Sequence, residues 1–410
     1  MHGRQLSIFR GIVLNRFKAG SRLAASATGG PFMHLGKRFL TLALMVGCGL
    51  PAMAQSHKRL LAYYPDWVKD GNPSYSAKNI PYAKLTHILH AFLLLDPSGN
   101  GALQIDPELI EPALNRNAHK AGVKVMISIG GADPAQASAF ATIAASATLR
   151  AKFAKNLHAF LVAHDYDGVD IDWEVPNAPE DTNHCTMLME ALRRELPAPR
   201  WLISMAISAD PRNYGTGFDV PALSPILDFF NVMTYDFAGP WMDMAGLNSP
   251  MLQDPSDPEQ VGSLKTSMDL YNRIYGVPRA KLNIGTAFYG YQFDAVQNLW
   301  NYCPQGDCSQ TNSYNYGTYI KQRVNAKGWA RHWDSASDSP YLLYQGPGGK
   351  DGFITYDDPV STAMKTYYVL GQRDFGGIFM WDLSGDYDGK SQDLLNAMRG
   401  MYEVLGHQQF

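Results

Sequence analysis

Cysteine is scarce in this chain, with four in 410 residues, too few for a disulfide scaffold. No histidine–cysteine cluster has zinc-ligand spacing, so neither a metal nor another cofactor is expected. Neither sign of charge prevails: 35 Lys and Arg against 38 Asp and Glu leave a net −3. That balance argues against nucleic acid as a partner and carries no membrane-surface signal. No apolar run reaches the roughly 20 residues of a comfortable membrane span. Internal repeats and low-complexity linkers are missing too, so a repeat architecture is not expected.

What is present is apolar and aromatic. Hydrophobic residues make up 46% and aromatics 12%, enough for a sizeable core in one large domain or two to three ordinary ones. Many aromatics sit beside Gly, Asn and Asp rather than in core-like runs. That placement suits sugar binding, because pyranose rings have apolar faces that stack on aromatic rings.

Near the N-terminus, Lys37-Arg38 precede an apolar run over 39–50, and Ala52-Met53-Ala54 offers an A-x-A cleavage site. Residues 33–54 therefore read as a secretory signal peptide starting at Met33, and residues 1–32 as an extension outside the fold. The expected location is outside the cytoplasm, secreted or periplasmic. Lipid attachment at Cys48 ranks lower, since Met45 and Val46 fit that motif poorly. In an oxidising compartment Cys303 and Cys308, in a polar loop, are expected to form a short-loop disulfide. Cys185 lies in a helical pattern and is expected to be a buried free thiol.

From residue 60 onward, strand-like and helix-like segments alternate. Strands are expected at 60–65, 84–95, 123–129, 167–174, 202–208, 229–235, 282–289 and 378–383. Helices are expected at 105–121, 149–165, 181–196, 259–275 and 391–405. Eight strands alternating with helices predict a (β/α)8 barrel of parallel strands. Its limits are expected at 56–290 and 356–410. The Tyr-, Trp-, Gly- and Asn-rich stretch 291–355 is too long for a βα loop. It reads as a small α+β insertion at the C-terminal rim, with a helix at 314–327 and strands at 330–334, 341–344 and 352–356.

The stretch that carries chemistry is Asp167-Gly168-Val169-Asp170-Ile171-Asp172-Trp173-Glu174. In a strand, Asp170, Asp172 and Glu174 share one face, about 6.6 Å apart, and the large apolar residues share the other. Burying several like charges costs several kcal/mol per ion unless protons or hydrogen bonds compensate. Such a cost points to a functional site. Catalytic groups sit at the C-terminal ends of barrel strands, so Glu174, the last acid before Pro176, is expected at the rim. Asp172 lies one pleat below and Asp170 deeper. Like charges raise a carboxyl pKa, which makes Glu174 a general-acid candidate. Asp172 and Glu174 leave from the same side of one strand and are poorly placed to flank a sugar from opposite faces.

These residues match the D-G-x-D-x-D-x-E signature of family 18 glycoside hydrolases, the chitinase family. Ser128-Ile129-Gly130-Gly131 resembles its S-x-G-G motif, and Met233-Thr234-Tyr235-Asp236 its M-x-Y-D motif. Phe288-Tyr289-Gly290 resembles its seventh-strand Y-G, and Trp381 the Trp that floors the −1 subsite. Tyr63, Trp67 and Phe92 fall where the first two strands carry site aromatics. The resemblance is collinear over about residues 58–405 and implies a hydrolase of chitin or chitooligosaccharides; the chain is expected to act as a monomer.

The resemblance also implies roles. Glu174 would protonate the glycosidic oxygen, and the acetamido oxygen of the −1 sugar would attack its own anomeric carbon; the family is a known substrate-assisted case. Asp172 would turn between Asp170 and the acetamido N–H. Tyr235 would hold the acetamido oxygen and Asp236 the −1/+1 sugars. Met233, Tyr289, Trp381, Tyr63, Trp67, Phe92 and Gly131 would shape the binding site. Ser128, Asp167 and Gly168 would be structural. Two positions depart from the family pattern: Ala132 stands where Trp is common, and Tyr291 where Arg is common. Two other readings stay open: the same chemistry on another N-acetylglucosamine-containing glycan, and a chitin-binding protein without turnover. The aromatic-rich insertion is expected to help build a deep groove for a linear polymer.

Overall fold

Aliphatic and aromatic runs that bury both of their faces form the strands at the centre of the fold. The computed structural model describes residues 58–174, 176, 179–210, 217–346 and 351–406. The expected signal segment 33–54, the extension 1–32 and Cys48 lie outside the described residues. In chain order the first eight strands are β1 (Arg59–Pro65), β2 (His87–Leu95), β3 (Leu103–Gln104), β4 (Lys124–Gly131), β5 (Gly168–Trp173), β6 (Leu202–Ser208), β7 (Phe229–Met233) and β8 (Leu282–Ala287). The remaining six are β9 (Tyr289–Asp294), β10 (Asn312–Asn315), β11 (Trp329–Asp334), β12 (Ser339–Gln345), β13 (Asp351–Thr355) and β14 (Gly377–Trp381).

Strands β1, β2, β4, β5, β6, β7, β8 and β14 pair in parallel in that order, and β14 returns to β1. The sheet is therefore a closed eight-stranded barrel. Helices including Pro112–Lys120, Ala147–Ala163, Pro179–Glu195 and Asp393–Gly406 lie between or after its strands. This is a (β/α)8 TIM barrel.

Several expected boundaries move for identifiable reasons. The expected helix 105–121 divides into a turn at Pro107–Leu109 and a helix at Pro112–Lys120, each opening on a proline that has no N–H to give. The second strand starts at His87 rather than 84, because Tyr82–Lys84 forms a 3-10 turn. A helix at Pro134–Ala145 was not expected; its alanine-rich sequence lacks apolar periodicity. Its signal is instead Asp133, whose side chain accepts from the Ala135 N–H before Pro134, a typical helix start.

The expected strand 282–289 splits. Its first part stays in the barrel as β8, and β9 leaves it to join a second, antiparallel sheet of order β10-β9-β13-β12-β11. The helix expected at 314–327 shrinks to 316–323, because Asn312–Asn315 pairs with β9 as β10. Phe293, Phe353, Leu343 and Tyr291 form this sheet's core with Cys303 and Cys308, which are joined by a disulfide. Cys185 is free and buried.

Candidate active site

Strand β5 places its acids in a graded series. Asp170 is 0% exposed and Asp172 4%, while Glu174, one residue past the strand end, is half-buried. Asp170 and Asp172 point into the barrel. The alternate residue Trp173 points outward and stacks on Phe140 of the 134–145 helix, ring centroids 5.3 Å apart. Two glycines make the close packing possible. A Cβ on Gly168 would lie 2.1 Å from the Leu202 carbonyl oxygen, and one on Gly130 2.2 Å from that of Asp172.

Donors from four other strands, β1, β4, β6 and β7, satisfy Asp170. Its Oδ2 accepts from the Tyr63 hydroxyl at 2.8 Å and from Ser128 at 2.9 Å. Its Oδ1 accepts from Ser204 at 2.6 Å and from Asn231 at 3.0 Å. Burial raises its carboxyl above the usual range, and the four donors offset only part of that rise. Four donors and no acceptor is the environment of a carboxylate anion. Ser128 and Ser204 flank Asp170 in register on β4 and β6. Ser204 and Asn231 escaped the sequence reading; their only signal is a lone polar residue in an apolar strand.

Asp172 is the opposite case. Its Oδ1 is buried with no partner among the described residues. Burial first, then the charges of Glu174 and Asp170, hold its carboxyl well above the ordinary range. Glu174 is also raised, by burial and then by Asp236. The pair borders a cleft of about 830 Å³. Its lining also includes Tyr235, Met233 and Asp236 from the end of β7 and Trp381 from β14.

A strip of aromatic rings runs along one wall. Tyr63 lies 5.4 Å from Trp381, Trp381 5.8 Å from Phe92, and Phe92 6.1 Å from Trp67. Trp67 is 53% exposed and Trp241, on the lining near Asp236, 56%. Large exposed apolar rings in a cleft mark a binding surface. Gly131 sits in the left-handed region, φ +91°, against the Phe92 ring. Ala132 lines the cleft and is exposed.

Asp236 is held from three sides. Its own φ is +59°. Its N–H donates to Asn248 Oδ1 at 2.8 Å, and its Oδ1 accepts from Tyr289 at 2.5 Å and Tyr291 at 2.8 Å. Tyr289 itself does not reach the cleft lining; it packs edge-on against Tyr235, 6.2 Å away. Asp167 lies at the other end of β5. It accepts from the Val125 N–H at 2.9 Å, Lys124 at 2.7 Å and His119 at 2.8 Å, tying β5 to β4 and the 112–120 helix.

The expectation that the 291–355 segment lines the groove fails. None of its residues borders the cleft among the described residues. Aromatics such as Phe293 and Phe353 face their own sheet core, and others pair with one another, as Trp329 does with Tyr344 at 5.2 Å. Its contribution to the site is indirect, through Tyr291 on Asp236. No group of His, Cys, Asp and Glu among the described residues is arranged to hold a metal ion.

Known proteins resemble this chain in sequence and fold. The family profile "Glycosyl hydrolases family 18" matches residues 59–386. Chitinase A1 of Niallia circulans is 27% identical over 448 residues, covering 89% of this chain and 63% of that protein. The chain thus spans less than two-thirds of that relative's length. An endochitinase of Manduca sexta is 28% identical over 379 residues, covering 84% of this chain and 67% of its own. A solved chitinase from Bacillus thuringiensis superposes with a TM-score of 0.73 at 27% identity, over 85% of this chain and 70% of that one. A chitinase of Ostrinia furnacalis solved with allosamidin reaches a TM-score of 0.76 over 85% of this chain and 99% of that one; at 23% identity it speaks for the fold alone. A profile match along most of the barrel, together with chitinase relatives that cover most of the chain, shows that it belongs to family 18 of the glycosyl hydrolases.

Proposed function

We propose that the protein is a chitinase, hydrolysing β-1,4 bonds between N-acetylglucosamine units with retention of configuration by a substrate-assisted mechanism. Glu174 is the general acid that protonates the glycosidic oxygen. The acetamido oxygen of the −1 sugar attacks its own anomeric carbon and forms an oxazolinium ion. Asp172 turns toward the acetamido N–H and balances the developing charge, and Tyr235 holds the acetamido oxygen. Glu174 then accepts a proton from the incoming water. Asp236 binds the −1 and +1 sugars. The aromatic strip Tyr63–Trp381–Phe92–Trp67 stacks on sugar faces, with Met233 and Gly131 shaping the wall and Tyr289 acting from behind it through its bond to Asp236.

The observation that carries this reading is the contrast on β5. Asp170, held by four donors, lies below Asp172, whose Oδ1 lacks a partner among the described residues and whose carboxyl favours the protonated form. That is the arrangement a donor to, or acceptor from, a substrate amide requires. Asp236 borders the same cleft, next to Tyr235, and is the alternative candidate for an enzyme nucleophile. Two phenol donors on one of its oxygens stabilise its charge and blunt it for attack. Residues 33–54 are proposed to direct export, residues 291–355 to form an insertion within the barrel, and the chain to act as a monomer.

The test is the release of reducing oligosaccharides from colloidal chitin, set beside cellooligosaccharides of equal length. Cleavage of chitin alone is expected. Comparable cleavage of the acetamido-free sugar would make Asp236 a nucleophile and end the substrate-assisted reading. Release from a glycoprotein but not from chitin would favour the other glycan, and no turnover on any of these the silent binder.

A further inference from the structure

A line of side-chain hydrogen bonds crosses the barrel interior from its N-terminal end to Asp170. Arg59 Nε donates to Asn283 Oδ1 at 2.8 Å. Asn283 Nδ2 donates to Asn231 Oδ1 at 2.8 Å, and Asn231 Nδ2 donates to Asp170 Oδ1 at 3.0 Å. Both asparagines are 0% exposed. A guanidinium can only donate and a carboxylate can only accept, so the two ends dictate the orientation of both amides between them. All three bonds therefore run the same way, each donor pointing toward Asp170.

The backbone makes room for this line. Arg59, Gly377 and Asn283 are in register on β1, β14 and β8, and Asn283 is in register with Asn231 on β7. A Cβ on Gly377 would lie 2.3 Å from Asn283 Oδ1, and one on Gly376 2.3 Å from Arg59 Nη2. Arg59 also donates to the Ala280 carbonyl at 2.5 Å and lies over the Phe229 ring, 4.7 Å from its centroid.

We propose that Arg59 is a positioning residue for hydrolysis, acting through Asn283 and Asn231 to keep Asp170 an anion while Asp172 carries a proton. This rests on the function proposed above. Aligned hydrogen bonds polarise one another, by about 10–30% per bond, and the guanidinium at the far end supplies the charge that polarises them. Burial lowers Arg59 to about 10, which leaves it cationic at neutral pH. Its titratable neighbours do not replace it. Burial, reinforced by Arg59, pushes His87 down to about 3, and Asp228 is paired with Arg193 at 2.5 Å. Lys124 and Asp167, which also face His87, bond to each other. Around Asp170 itself the titratable groups are Tyr63, Asp172 and Tyr235, all raised, so none supplies a cation.

The test compares wild type with Arg59→Gln, which keeps an N–H donor but loses the charge, and Asn283→Leu, which cuts the line. Hydrolysis of an N-acetylglucosamine hexamer is followed across pH. Both variants are expected to lose about tenfold in kcat with KM within about twofold, and to move the acid limb of kcat/KM up by about one pH unit. The direction follows because Asp170, less well stabilised as an anion, takes up a proton at higher pH. Folded variants with the wild-type profile and kcat, or a loss confined to KM, overturn the proposal.

A second readout needs no turnover, so an enzyme inactive on the hexamer would sink the proposed function without leaving this inference undecided. With the folded-state pKa of Asp170 raised in the variants, their melting deficit should be largest at neutral pH and shrink as pH falls through that pKa. A deficit that stays constant over about pH 4–8 indicates a merely structural role and overturns the inference. Should Asn283→Leu not fold, Asn283→Ser interrupts the same link with a smaller polar side chain and is measured identically.

Discussion

The Tyr291 hydroxyl donates to Asp236 Oδ1 at 2.8 Å, sharing that oxygen with Tyr289. Tyr291 stands where family members often carry Arg, so the clamp on Asp236 is neutral. Two phenols steady the carboxylate without cancelling its charge.

Tyr291→Phe removes one of the two donors. Hydrogen bonds to charged groups are worth about 1.5–3 kcal/mol, and the remaining Tyr289 keeps the loss near the lower end, so kcat/KM should fall roughly tenfold. Steady-state kinetics on chitooligosaccharides checks this. A value within twofold of wild type would mean that Tyr289 alone suffices.

Glu174→Gln keeps shape and hydrogen bonding but has no proton to give. Turnover should drop by roughly two to four orders of magnitude or more, while chitooligosaccharide binding, read by calorimetry on the variant, stays close to wild type. Near-normal turnover would move the general-acid role elsewhere.

The pH dependence follows from the neighbours of Glu174. Burial and the charge of Asp236 raise its carboxyl, and a general acid must be protonated, so activity should extend above the ordinary glutamate range. Asp236→Asn removes the charge, lowers the proton affinity of Glu174 and should move the alkaline limb of kcat/KM to lower pH. An unmoved or higher limb would show that Asp236 does not act on Glu174.

Behind the site lies a buried ion pair. Lys365 Nζ is 2.6 Å from Asp357 Oδ2, with the side chains 0% and 2% exposed. Lys365 also donates to Ser249 Oγ at 2.9 Å, and Ser249 to the Thr234 carbonyl at 2.7 Å, next to Tyr235. Lys365→Met leaves Asp357 buried without its cation and should cost about 3–5 kcal/mol in urea unfolding. The half-exposed Arg399–Glu403 pair offers the contrast, since its removal should cost under about 1 kcal/mol.

How far the sequence is legible differs from residue to residue. The period-two alternation of 167–174 is unambiguous, because both faces of β5 are buried and each residue can point only inward or outward. The depth order of Asp170, Asp172 and Glu174 follows from that alone. Asn231 and Asn283 are invisible by the same logic, since a single amide in an apolar strand has no partner until the barrel closes. The aromatics of 291–355 mislead for a related reason. Composition says that tyrosines and tryptophans are present, but not whether a ring faces a cleft or the core of a neighbouring sheet.

The linear order of residues was thus sufficient for the eight-strand rhythm and the acidic strand, both of which depend on neighbours a few positions apart. Closure of the barrel decided the rest: which oxygen of Asp170 meets Ser204 or Tyr63, that Tyr291 reaches Asp236, and that Arg59 is linked to Asp170 across the interior. Those contacts join residues 34 to 224 positions apart. Their geometry depends on strand register and on room left by glycines, which no local pattern encodes.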